Sequence, residues 1–206
     1  MSKKEAHISR LQDFLPPDTY DAVLSYLQHY HVHLTVARER KSILGDYRHR
    51  IAGKNHRISV NGNLNQYAFL ITLLHELAHL LTFEQYGNRV QAHGKEWKNI
   101  FSQLLAHFIE KNVFPDDIRQ ALLSSLHNPA ASSCADEKLL RTLRTYDEKP
   151  DHLLFVEAVP HGTLFRTHDG RVFRKGEKMR KRFRCEEVAT QRIYLFSPVY
   201  EVETLG

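Results

Sequence analysis

The chain has 206 residues, of which 42% are hydrophobic and 26% charged, with only 9 Gly, 7 Pro and 2 Cys. This composition excludes a disordered, fibrous or disulfide-framed protein and leaves one medium domain or two small ones, expected in a reducing, cytoplasmic setting. The net charge of +5 is unevenly held: residues 161–192 carry ten Lys or Arg against four acids, so the remainder is close to neutral.

Gln12 and Asp13 interrupt Leu11 to Leu15, so no secretory signal is read at the start. Pro16-Pro17-Asp18 opens a helical spacing through Tyr20, Val23, Leu24, Leu27 and Tyr30, which predicts a first helix over 18–30. Alternating, β-branched stretches at 31–36, 42–50 and 56–60, punctuated by Gly45, Gly53 and Asn61-Gly62, predict a small sheet of about three strands. A central helix then runs from Asn63-Leu64-Asn65 to Tyr86, with Gly87-Asn88 at its end. Its apolar window, Tyr67 to Phe83, is long enough for a bilayer but carries His75, Glu76 and His79 in mid-course, where charge is expensive. It reads as a buried helix with polar business and not as a membrane span.

A further helix is expected from Lys95 to Ile109 and a shorter one from Pro115 through Leu126. Residues 129–150 read as a linker in which 136–146 could form a helical connector ended by Pro150. From Leu153 the pattern turns to short β stretches, with Asp169-Gly170 as a hairpin signal. The expected class is α+β: a helical core with a small β-sheet over 1–128, then a small antiparallel β module over 151–206.

The sharpest motif is His75-Glu76-Leu77-Ala78-His79 in the central helix. Residues four apart share one helical face, so both imidazoles can reach one ion while Glu76 sits close enough to hold a water. A catalytic zinc site takes three protein ligands, and His93, after the Gly87 break and before Gly94, is the best third. The plain alternative, hydrogen-bonded core residues, would leave three costly polar groups between apolar flanks. One Zn²⁺ per chain follows, with Glu76 as general base.

These residues resemble a known family. His75-Glu76-Leu77-Ala78-His79-Leu80-Leu81, Tyr86-Gly87 and His93-Gly94-Lys95-Glu96-Trp97 are similar to the SprT family, bacterial relatives of the Spartan DNA-protein crosslink protease. The resemblance extends to Leu44-Gly45-Asp46-Tyr47-Arg48 and Ile58-Ser59-Val60 and covers about 15–125. It implies a gluzincin-like metalloprotease core in which His75, His79 and His93 bind zinc and Glu76 is catalytic. Many relatives carry a zinc ribbon after this core. Here Cys185 stands alone in the corresponding region and Cys134 lies in the linker, so a ribbon-like module without metal is expected, filled by Phe155, Phe165, Phe173, Phe183, Tyr194, Phe196 and Tyr200.

The basic run Arg174, Lys175, Lys178, Arg180, Lys181, Arg182 and Arg184 suggests a nucleic-acid surface, against the alternative of a solvated face. A second cluster, Arg38, Arg40, Lys41, Arg48, Arg50, Lys54 and Arg57, falls on the expected sheet. Together these predict a zinc metallopeptidase acting on protein substrates near or crosslinked to DNA, cytoplasmic or nucleoid-associated. The competing readings are a nucleic-acid-associated factor, for instance in transcription, whose zinc is structural or weakly active, and a different zinc hydrolase. Glu76 in the position of a protease base argues against a metal-dependent RNase.

Overall fold

Asn65 starts the element around which the first part of the protein is built. In the computed structural model its Oδ1 accepts from the Ala68 N–H at 2.9 Å, capping a helix, α2, that runs over Gln66–Tyr86. Gly87 ends it at φ 63°, where a side chain would be strained, and donates its N–H to the Phe83 carbonyl at 2.7 Å. Every residue from Ala68 to Ala78 is buried, as expected for a helix apolar on nearly all sides. The structure describes residues 8–40, 43–51, 54–127, 129, 136–148 and 153–205, with five α-helices and two sheets among them. The class is α+β.

The chain divides into two compact units between Asp147 and Glu148. In the first, a 3-10 helix over Ile8–Phe14 that the sequence reading had not expected buries Leu11, and Leu15 follows it into the core. Helix α1 (Tyr20–His29) contributes Val23 and Leu27. Strands β1 (Val32–Ala37), β2 (Gly45–Arg48) and β3 (His56–Asn61) form a sheet of order β1-β3-β2, with β1 parallel and β2 antiparallel to β3. The second strand is shorter than the expected 42–50; Ser42, like Lys41, lies outside the described residues. Because β3 takes the centre, β2 is an edge strand.

Helix α3 (Lys95–Glu110) packs Trp97, Phe101, Leu104 and Phe108 into the same core, and α4 (Asp116–Ser125) adds Ile118 and Leu122. The stretch expected as a linker contains α5 (Glu137–Arg144), which buries Leu139 and Leu143 in this core. Two such side chains stabilise by about 1.5–3 kcal/mol each. Asn65 Nδ2 donates to the Leu143 carbonyl at 3.0 Å and to Asp147 Oδ1 at 2.7 Å, and the Tyr146 hydroxyl donates to Asp117 Oδ1 at 2.8 Å. Residues 136–147 therefore belong to the first unit. Local polarity suggested a connector because α5 is strongly amphipathic, and its apolar stripe has a partner only in the tertiary fold.

The second unit is one antiparallel six-stranded sheet of order β4-β9-β5-β6-β7-β8. Its strands are β4 (Leu153–Phe155), β5 (Leu164–Arg166), β6 (Val172–Met179), β7 (Arg182–Glu187), β8 (Ile193–Phe196) and β9 (Glu201–Leu205). Gly170, at φ 88°, turns β5 into β6 where Asp169-Gly170 announced a hairpin. The buried face gathers Phe165 and Phe173, stacked at 5.7 Å, with the edge of Phe196 4.9 Å from Phe173 and that of Tyr194 5.4 Å from it. Val156, Val159, Cys185 and Val202 complete this small core. Among the described residues no helix is long and apolar enough to cross a membrane.

Candidate metal centre

The i, i+4 spacing puts His75 and His79 on one face of α2, and the turn from Gly87 to Gly94 returns the chain so that His93 meets them. Gly94 caps α3, and a Cβ there would press on the Gln91 carbonyl at 3.2 Å, so the turn is too tight for a larger residue without adjustment. His79 Nε2 lies 3.2 Å and His93 Nε2 3.3 Å from His75 Nε2, and the ligand atoms of all three lie within 4.8 Å of one another. Depending on tautomer one of these contacts can be a hydrogen bond, but His75 Nε2 has a single lone pair or a single N–H, so the three nitrogens cannot all satisfy one another. A tetrahedral zinc ion at about 2.0–2.1 Å from each would hold them about 3.3 Å apart, so the donor set fits the ion.

The electrostatics point the same way. Burial, and then the neighbouring His79 and His93 rings, push His75 down to about 3. Burial and His93 push His79 down to about 4, and His93 is lowered by burial and by Lys98. All three are therefore neutral near pH 7, with lone pairs free for a cation. Glu76, 6% exposed, moves the other way: burial first and the Asp46 carboxylate second raise it to about 8, against the opposing charge of Arg40.

Packing orients the rings. Trp97, fully buried, lies 4.7 Å from the His75 ring, 5.3 Å from His79 and 4.7 Å from His93, and Phe101 flanks His75 at 5.6 Å. His75 Nδ1 and Trp97 Nε1 are buried without a hydrogen-bond partner, so aromatic contacts hold the His75 ring where a carboxylate or carbonyl acceptor often does.

The site opens into a cleft of about 500 Å³ whose walls include Gly45, Asp46 and Tyr47 of β2 and the 87–93 turn. Gly45 passes so close to the motif that a Cβ on it would stand 2.5 Å from Glu76 Oε1 and 2.9 Å from Thr72 Cγ2. The Tyr47 hydroxyl pairs with His56 Nδ1 at 2.9 Å, and His56 Nε2 lies 3.3 Å from Glu84, which also pairs with Arg50 at 3.2 Å. The spacing of the three histidines and Glu76 was readable in the sequence, whereas the roles of Gly45 and Trp97 were not. Their only signal was their presence in the segments that resemble the SprT family.

Of the basic residues singled out by sequence, Arg174, Lys178, Arg180, Lys181, Arg182 and Arg184 are exposed on the second unit. Lys175 is not: it is 4% exposed, donates from Nζ to the Val156 and Val159 carbonyls at 2.5 and 2.9 Å, and sits 3.9 Å over the Phe183 ring. Strand alternation turns it inward beside Cys185, so it closes the core and offers nothing to a partner. The second cluster is also partly absorbed, since Arg40 bonds Asn61 and Ser59 at 2.7 and 2.9 Å, and Arg48 pairs with Asp46 at 2.9 Å. Tyr67, which flanks the motif helix, packs instead against Tyr146 and Phe114.

Residues 18–118 match the model of the SprT-like family. Among curated proteins, Protein SprT of Glaesserella parasuis serovar 5 (strain SH0165) is 58% identical over 31 residues, 15% of this chain and 19% of that protein. The alignment thus spans about a fifth of the relative's length. No solved structure matches the chain.

Proposed function

We propose, from the premise that the chain carries an SprT-like domain across residues 18–118, that it is a zinc-dependent metallopeptidase hydrolysing peptide bonds in proteins held near or crosslinked to DNA. The observation that carries this reading is the convergence of three neutral imidazoles beside a buried carboxylic acid in an open cleft. A zinc ion held by His75, His79 and His93 would supply a Lewis acid that polarises the scissile carbonyl and makes water a nucleophile near pH 7. Glu76 accepts the water's proton on a carboxylate oxygen and delivers it to the leaving amine. Burial raises its affinity for protons in the metal-free site, and the charge of a bound zinc would draw it back toward the carboxylate form that accepts a proton.

The cleft walls suit a polypeptide. Strand β2 has β3 on one side only, so an extended substrate segment can align along its other edge through backbone hydrogen bonds. Trp97 closes the far side of the three imidazoles with apolar surface and keeps bulk water from the ligands. The DNA-linked substrate class draws on the SprT resemblance and on the exposed cations of the second unit.

The competing reading, a nucleic-acid-associated factor with a structural zinc, fits the site less well. Structural zinc sites close with four ligands, whereas the only metal-competent group among the described residues has three and opens into a cleft. The deciding experiment compares wild type with Glu76→Gln on a protein covalently attached to duplex DNA, each with about one zinc per chain. Cleavage by wild type alone supports the peptidase. Equal cleavage by both removes Glu76 from the mechanism, and none by either favours the binding factor.

A further inference from the structure

The β6–β7 hairpin of the second unit has a surface that neither its core nor the peptidase chemistry uses. Up to Lys175 the two strands alternate between buried and exposed residues, as a sheet with one covered face must. Beyond it the pattern stops: Glu177, Lys178, Met179, Arg180, Lys181 and Arg182 are all exposed, so both faces of the ribbon leave the core. The register slips between Lys175 and Lys178, a β-bulge that bends the arm. A side chain on Gly176 at this bulge would collide with the Arg184 carbonyl. The arm then extends about 10 Å, three residues at about 3.3 Å each.

Its charge is one-sided. Residues 177–184 hold Lys178, Arg180, Lys181, Arg182 and Arg184 against Glu177 alone, a net +4. Elsewhere on this unit Arg166 pairs with Glu203 at 3.2 Å and Arg171 with Asp169 at 2.7 Å, Arg174 reaches the Gly162 carbonyl at 3.3 Å, and Arg192 stands alone rather than in a cluster. The four arginines and lysines at 180, 181, 182 and 184 have no ion pair within the described residues. Cross-strand pairing puts Lys178 on one face of the ribbon with Phe183, and Arg182, followed by Arg184, on the other; Arg180 and Lys181 form the tip. Arg180 has φ 52°, a backbone region normally given to Gly or Asn, so the turn carries a cation where an uncharged residue would be more comfortable.

We propose that the hairpin arm Lys178–Arg184 is a nucleic-acid probe that enters the major groove of duplex DNA and contacts phosphates on both sides. A flat partner, such as an acidic protein surface or a lipid headgroup layer, would meet the cations of one face and leave the others in water. A groove with a phosphate wall on each side meets both faces and the tip. The B-form major groove, about 12 Å wide and about 8.5 Å deep, admits a two-stranded ribbon, whereas the A-form groove of RNA is too narrow. This deepens the reading above by naming the partner of the second unit, and it does not depend on the peptidase chemistry.

The test is fluorescence anisotropy of the full chain with a 20-base-pair DNA duplex, the same sequence as a single strand and as duplex RNA, and phosphatidylserine vesicles followed by co-sedimentation. It is run in parallel on Glu76→Gln, so that failure of the peptidase reading leaves the binding result intact. Duplex DNA should bind tightest, with log K falling against log salt at a slope of about −3 to −4, the value for roughly four phosphate contacts. Combined Arg180→Glu, Lys181→Glu and Arg182→Glu should weaken it at least tenfold, while Arg10→Glu in the first unit should not. Arg180→Gly relieves the positive φ, keeps the fold, and should lower the slope by about 1. Equal binding of single strand, duplex RNA or vesicles would overturn the groove assignment. Duplex binding that is absent at low salt, or that survives the triple reversal, would overturn the arm as the probe.

Discussion

Gly45→Ala tests the arrangement of the site from a residue that bonds to nothing in it. The new Cβ would stand 2.5 Å from Glu76 Oε1, 2.8 Å from its Cγ and 2.9 Å from Thr72 Cγ2, where ordinary contact begins near 3.4 Å. Either the Glu76 carboxylate or strand β2 must move by about 0.9 Å. Overpacking of this kind costs about 1–3 kcal/mol. For a chain of this size that is roughly 2–12 °C in the melting transition of the first unit. A displacement near 1 Å at a catalytic group lowers turnover by about 10²-fold. Zinc content should stay at the wild-type level, because none of the three imidazoles is touched.

The measurement is a double-mutant cycle by thermal or denaturant unfolding, with zinc analysis and cleavage of an unstructured protein alongside. In a Glu76→Ala background the two closest of these contacts are gone and the Thr72 one remains, so Gly45→Ala should cost less there, with a coupling of about 0.5–3 kcal/mol. A Gly45→Ala protein that melts and cleaves like wild type, or whose cost is the same with and without the Glu76 side chain, would refute the close approach of β2 to the motif.

Other consequences can be checked alongside. His93→Ala should lose most of its zinc by elemental analysis while α2 stays folded by circular dichroism, since the residue lies in the turn after the helix. Glu76→Gln should keep its zinc and lose about 10²–10⁴-fold in peptide hydrolysis. Metal-stripped protein should have a pH optimum of stability set by the site. His75 and His79 titrate at about 3 and about 4 when folded but near 6.5 when unfolded, so below about 6.5 the unfolded chain binds more protons and stability falls as pH falls. Glu76 titrates at about 8 when folded against 4.5 for the free group, so between those values the folded state holds the extra proton and its contribution falls as pH rises, opposing the histidines below about 6.5 and standing alone from there to about 8. Denaturant titrations across this range should show Glu76→Gln abolishing the alkaline fall, at up to about 1.4 kcal/mol per pH unit, and leaving the acid one. Lys175→Met, which takes the Nζ donor from the Val159 carbonyl and leaves the Val156 carbonyl only the Val159 N–H, should destabilise the second unit by about 1–3 kcal/mol in unfolding experiments.

Two periodicities in the sequence carried most of what could be read from it. The 3.6-residue spacing placed α1, α2 and α3 close to their observed bounds, and the same spacing put His75 and His79 on one face without any knowledge of the fold. His93 was within reach because Gly87 and Gly94 bracket it, and glycines mark where a chain can turn back. The alternation of 31–36 and 56–60 was sufficient for two strands, but not for their parallel pairing or for β2 at the edge, because pairing joins residues that sequence order keeps apart.

What the sequence alone determined is thus the chemistry of the centre: three imidazoles, one carboxylic acid and the helix that presents them, all local in the chain or one turn away. Tertiary structure decided everything that depends on distance through space. It drew α5 into the first unit, brought Gly45 against Glu76, laid Trp97 beneath the three rings, and turned Lys175 inward while leaving its neighbours on an exposed arm. The physical reason is the same each time. Charge and spacing are properties of the chain, but burial is a property of what packs against it, and burial decides whether a lysine closes a core or stays in solvent.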